Sequence, residues 1–213
     1  MAKHGRGLGE MGRARLRLLT LAAGAAALGS VSATPALSAD IAPTPAPTPD
    51  LTSPFSPVEE IRGGVFYDDP SPRESPSEVV SLEAISSPLK FYSTSNPYLA
   101  AFLNPRLSAG AMVSVEGRTS YGFAGVNWHV PVWDRFFFEG EFGGALNDSA
   151  RRIEPGRTDL GCPVTFRESG GFGYQITSNI DVIASVEHIS HASLCGRENP
   201  GLTNFGLRVG YKF

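Results

Sequence analysis

The chain ends on Phe205-Gly-Leu207-Arg-Val209-Gly-Tyr211-Lys-Phe213, where every second residue is large and apolar and the last is aromatic. A period of two belongs to a β-strand, whose successive side chains point to opposite faces. Segment 180–190 repeats the pattern: Ile180, Val182, Ala184 and Val186 share one face, and His188 and Ser190 continue it. Segment 135–146 is clearer still, with Phe136, Phe138, Gly140, Phe142, Gly144 and Leu146 on one face and Glu139 and Glu141 on the other. Apolar outward and charged inward inverts the order of a water-soluble sheet and matches a transmembrane β-barrel.

Alternating segments lie at 60–68, 77–85, 106–115, 119–129, 135–146, 163–176, 180–190 and 203–213. They predict an eight-stranded antiparallel up-and-down β-barrel, small enough to be filled by its own side chains, so a pore is excluded. An even strand count puts both termini on the periplasmic side, with 177–179 as a short periplasmic turn and loops 147–162 and 191–202 outside the cell. Within 87–105, the run 98–103 reads as a short interfacial helix, and His129, beside Trp128, as part of the periplasmic aromatic girdle.

The address agrees with that fold. Lys3, Arg6, Arg13, Arg15 and Arg17 precede an apolar stretch over 18–31 with Ala33, Ala36 and Ala39 beyond it, so 1–39 reads as a signal peptide. The Pro-, Thr- and Ser-rich stretch 40–58 has too little apolar surface to offset its ordering entropy and is expected to be a disordered leader. The barrel then occupies 59–213, and no later segment offers the roughly 20 apolar residues of a spanning helix. The formal net charge is -3, and the basic N-terminus is due for removal, so nothing argues for a nucleic-acid partner. No metal site or cofactor is expected, since Cys162 and Cys195 alone cannot build a structural zinc centre; in an oxidising compartment they are expected to pair.

Hairpin register gives an independent check. A turn around Ser178 pairs even-numbered residues of 163–176 with even-numbered residues of 180–190. Glu168 then stands opposite His188, and Cys162 and Cys195 meet at one rim. Residues two apart on a strand sit about 6–7 Å apart on one face, within reach of a histidine nitrogen and a serine hydroxyl. That is the smallest unit of acyl-transfer chemistry, in which the imidazole takes the hydroxyl proton as the oxygen attacks an ester.

Residues 103–213 resemble the outer-membrane lipid A 3-O-deacylases and the related bacterial acyloxyacyl hydrolases. The resemblance rests on Leu103-Asn-Pro-Arg, Asp134-Arg-Phe-Phe-Phe-Glu-Gly-Glu-Phe-Gly-Gly, Phe166-Arg-Glu-Ser and Glu187-His-Ile-Ser-His-Ala-Ser, with Asn-Pro-Gly and a terminal Gly-Tyr-Lys-Phe beyond. It implies a serine esterase that removes the 3-hydroxyacyl chain at position 3 of lipid A, with lipopolysaccharide and outer-membrane lipids as partners. By the same resemblance His188 is the base, Ser190 the nucleophile and Asn199 an oxyanion donor. Phe213 resembles the terminal aromatic read by outer-membrane assembly machinery.

Two positions depart from the family pattern. The Asn that follows the nucleophile is His191, which leaves the backbone N–H groups of His191 and Ala192 as further oxyanion donors. The acid that orients the histidine is replaced by Thr203. Glu187 points to the wrong face, and Glu198 lies in a loop. Glu168 is the candidate substitute, with the alternative that it sits at headgroup level and meets only water. Arg151, Arg152 and Arg157 read first as a solvated loop. The competing function is a non-catalytic structural or adhesive barrel that has lost its acid.

Overall fold

The computed structural model describes residues 53–68, 75–149, 155–196 and 200–213. The expected signal peptide, most of the leader, Arg151, Arg152, Glu198 and Asn199 lie outside them. Strands β1 (Glu60–Asp68), β2 (Glu78–Ile85), β3 (Arg106–Ser114), β4 (Tyr121–Trp133), β5 (Phe136–Asn147), β6 (Val164–Gln175), β7 (Ile180–Ser190) and β8 (Leu202–Lys212) form a closed antiparallel barrel in sequence order. β1 pairs with β8 from Glu60↔Lys212 to Asp68↔Asn204, so no edge is left unpaired. Among the described residues no helix is long and apolar enough to cross a membrane. The strands cross instead: Val65, Leu82, Val113, Phe138, Phe142, Val164, Leu207 and Val209 stand exposed on the outer wall.

The interior divides along the barrel axis. Toward the end where β1 begins and β8 finishes it holds a lattice of charges. Arg62 makes a bidentate pair with Glu139 (2.5 and 2.6 Å) and reaches Glu60 at 2.6 Å. Arg106 joins Glu60 and Glu139, both at 2.9 Å, and Asn127 at 2.7 Å. Arg167 bridges Glu141 and Glu187, and Arg208 reaches Glu83 at 2.8 Å. At the opposite end the filling turns apolar: Phe66, Val79, Met112, Tyr121, Phe123, Ala145, Ile189 and Leu202 pack around Leu160, which enters from the β5–β6 loop. Gly125 faces Gly143 across β4 and β5, and a Cβ on either would collide with backbone of the neighbouring strand.

His129 departs from the expectation. Consecutive strand residues point to opposite faces, so Trp128 faces out and His129 faces in, with Nδ1 3.1 Å from Glu139 Oε1 and its ring 4.2 Å from that of Phe137. Strand β4 also runs on to Trp133, through an irregularity in pairing between Pro131 and Trp133. The aromatic band near the termini is built by Trp128, Trp133, Phe136, Tyr174, Tyr211 and Phe213. The expected short helix is α1 (Pro97–Leu103), capped by the Asn96 side chain, with Phe102 stacked on Trp128. Ser53–Val58 lies along the β2–α1 connection, where Ser56 N–H donates to Ser87 Oγ at 2.9 Å and Ser87 N–H to Ser56 O at 3.0 Å.

Removing one member of the charge lattice orphans its partners in a desolvated interior. Arg62→Met should lower stability by about 3–5 kcal/mol, seen as a lower guanidinium midpoint for loss of the heat-modifiable folded band in detergent. Adding Glu139→Gln should recover part of the loss, because the stranded carboxylate carries most of the penalty. An unshifted midpoint would count against the lattice as a stabilising feature.

Candidate active site

Strand β7 sets the site by alternation. Glu187 points inward, its carboxylate held by Arg167 at 2.6 Å and by Ser169 Oγ at 3.1 Å. Ile189 points inward and is wholly buried in the apolar plug. With both inward neighbours fixed, His188 between them and Ser190 beyond face outward, each half-buried. Ser190 is the last residue of β7, paired with Phe166, whose ring stacks on Phe142 with centroids 6.1 Å apart. The serine thus sits at the upper edge of an apolar, lipid-facing wall.

His188 lies between two cross-strand neighbours, Glu168 on β6 and Thr203 on β8. Its ring is turned toward β8, where Nδ1 lies 2.9 Å from Thr203 Oγ1. Glu168 is exposed, and among the described residues no hydrogen bond joins it to His188, nor His188 to Ser190. Gly201, which has φ +63°, lies beside the Cε1–Nε2 edge of the imidazole and leaves it open. A Cβ there would stand 2.5 Å from Cε1 and 2.9 Å from Nε2 of His188. Gly201 therefore serves the site twice, by taking a left-handed backbone conformation and by leaving room for the ring. In the sequence it was visible only as the end of Asn-Pro-Gly, because nothing in one dimension tells which ring a glycine accommodates.

Beyond Ser190 the chain leaves the ladder. His191 is buried, its carbonyl accepts from Leu194 N–H at 2.9 Å, and its Nδ1 accepts from Cys195 N–H at 3.3 Å. Cys195 is bonded to Cys162, with Cα atoms 5.9 Å apart, as the hairpin register predicted. Arg157 is engaged by Asp148, donating to its carbonyl at 2.7 Å. Among the described residues no group of three or more His, Cys, Asp or Glu is placed to hold a metal.

Comparison with known proteins bears on this arrangement at two levels. Over residues 83–212 the chain matches the family model described as lipid A 3-O-deacylase (PagL). The crystal structure of the outer-membrane enzyme PagL superposes with a TM-score of 0.54 at 16% identity, covering 72% of this chain and 99% of that one. Neisserial surface protein A gives a TM-score of 0.45 at 11% identity, covering 76% of this chain and 100% of the other. Among the curated proteins none matches. The family match spans well over half of the chain, and the closed barrel with an apolar wall is the fold it calls for: this protein is an outer-membrane β-barrel that belongs to the PagL lipid A 3-O-deacylase family.

Proposed function

We propose that the protein is a serine esterase that cleaves the ester-linked 3-hydroxyacyl chain at position 3 of lipid A. The observation that carries this reading is the outward pair His188 and Ser190 at the rim of the lipid-facing wall, with Thr203, at the family's acid position, bonded to Nδ1. The acyl chains of such a substrate lie in the leaflet around the barrel, and its ester sits at the headgroup boundary. A chain lying against Phe142 and Phe166 brings its carbonyl to the level of Ser190.

In this mechanism Nδ1–H donates to Thr203 Oγ1, which leaves the Nε2 lone pair to take the proton of Ser190 Oγ as that oxygen attacks the ester carbon. The resulting oxyanion is held by backbone N–H groups of His191 and Ala192 and by Asn199. Collapse breaks the bond to the sugar oxygen, and His188 returns its proton to that leaving alkoxide. Water, deprotonated by the same imidazole, then releases the hydroxy fatty acid from Ser190. Thr203 orients the ring but brings no negative charge. Glu168, directly opposite on β6, supplies that charge at cross-strand distance, about 4.5–5.5 Å between Cβ atoms. The loop end faces the outside of the cell, residues 1–39 direct export, and Phe213 presents the C-terminal signal for barrel assembly.

Mass spectrometry of lipid A from an outer membrane containing the protein should show loss of one hydroxyacyl chain, and Ser190→Ala or His188→Ala should abolish that loss. Unchanged lipid A beside a folded wild-type barrel would favour the non-catalytic alternative. For the acid, Glu168→Gln should reduce turnover by at least about tenfold with folding intact, and Thr203→Glu in that background should restore part of it. Full turnover in Glu168→Gln would remove Glu168 from the mechanism. Gly201→Ala should displace the imidazole and suppress activity, with the loss confined to kcat. Deletion of Phe213 should reduce the folded, heat-modifiable fraction in the membrane; normal assembly would show that the terminal aromatic is dispensable.

A further inference from the structure

The turn that follows Ser190 is held in a shape its own residues disfavour. Leu194 N–H closes it onto the His191 carbonyl at 2.9 Å, and the two central residues, Ala192 and Ser193, both have positive φ, 48° and 62°. A turn with two positive central φ values is the mirror image of the common type, and Asn-Gly is its usual occupant because most side chains resist that region. Alanine and serine supply neither the local hydrogen bonding of Asn nor the freedom of Gly. Such a conformation persists only where its surroundings impose it.

The surroundings here are specific. Two residues past the turn, Cys195 is bonded to Cys162. Cys162 is itself fixed to the barrel: its N–H donates to the carbonyl of the fully buried Leu160 at 2.8 Å, and its carbonyl accepts from Asn147 Nδ2 at 3.1 Å. Beneath the turn, buried His191 takes the Cys195 N–H on Nδ1, and its Nε2 packs against Gly161, 3.7 Å from where a Cβ on that residue would stand. Leu194 and Cys195 N–H groups are thereby used up. Those of Ala192 and Ser193, exposed and directly after Ser190, have no partner among the described residues.

We infer that the Cys162–Cys195 disulfide and the His191 imidazole are positioning groups that hold the Ala192-Ser193 turn, and with it the free N–H donors, beside Ser190. The inference rests on the reading of Ser190 as the nucleophile. It makes the bridge more than a staple of the unfolded chain, which any loop-closing disulfide also is. The geometry of the turn is imposed from the β5–β6 loop, so turnover depends on a bond remote in sequence from the dyad.

The test uses the full mature chain folded in detergent micelles, with purified lipid A as substrate and kcat and KM read separately. Reducing the already folded protein with a phosphine should lower kcat at least tenfold with KM within twofold, and reoxidation should restore it. The Cys162→Ser/Cys195→Ser variant should lose kcat to the same degree while keeping its heat-modifiable band. His191→Phe, which retains bulk but removes the acceptor, should lose severalfold. Adding Ala192→Asn and Ser193→Gly to the serine pair should recover most of the lost kcat, because those residues favour the turn without a tether. A disulfide that only stabilised the fold would show no such rescue, and failure of the rescue overturns the inference, as does undiminished kcat after reduction. Ser190→Ala in the same assay separates the two levels. Activity surviving in Ser190→Ala overturns the nucleophile assignment and this inference with it, whereas its loss together with full turnover in the serine pair overturns this inference alone.

Discussion

The charge lattice inside the barrel ties walls that the hydrogen-bond ladder does not join. Neighbouring strands are held by backbone pairing, but Arg62 on β1 grips Glu139 on β5, and Arg208 on β8 reaches Glu83 on β2. Arg106 on β3 spans to both β1 and β5. Each cation answers more than one carboxylate, and each is buried. In lipid the outer wall contributes little to compaction, because the solvent outside is as apolar as the side chains that face it. Cross-barrel ion pairs therefore tie the cross-section together. A protein whose interior is spent in this way has only its outer wall and its rims on which to place chemistry.

That constraint explains the placement of His188 and Ser190. Glu187 and Ile189 are locked inward by different forces, one by Arg167 and the other by the apolar plug. Together they turn His188 outward and set Ser190 at the point where β7 ends. The plug is concentrated at this end of the barrel, so the rim that carries the serine rests on packed side chains instead of on the charge lattice. Leu160 links the two halves of the design: it fills the plug, and two residues later its loop carries the cysteine that tethers the segment after Ser190.

Strand number, order and the β6–β7 register were legible because a period of two marks each strand and because Thr177–Asn179 leaves little freedom in the turn. The pairings Glu168↔His188 and Cys162–Cys195 both follow from that register. Strand ends were less legible: β4 runs four residues past His129, since pairing resumes beyond Pro131 and no one-dimensional signal announces it. His129 was misread because it was grouped with Trp128 by adjacency, when alternation sends the two to opposite faces. At the site, the pattern gave faces but not side-chain torsions. It set Glu168 and Thr203 on either side of His188 and could not tell toward which one the ring would turn.

The ring's choice of Thr203 has a physical logic in this environment. A carboxylate at that position would put a second formal charge on the lipid-facing wall beside Glu168, and a charge there costs up to roughly 2–4 kcal/mol at the midplane and less toward the rim. A hydroxyl bonds Nδ1 without that penalty and holds the ring toward β8. What it cannot do is lend negative charge to the imidazolium that the proposed attack by Ser190 would form. On the proposed mechanism orientation and charge, which a single carboxylate combines in most serine hydrolases, are divided between two strands, with Thr203 holding the ring and Glu168 opposite it on β6. The division suits a site at a membrane boundary: the histidine is hydrogen-bonded to a neutral partner. Glu168, the carboxylate directly across from it, is exposed to solvent.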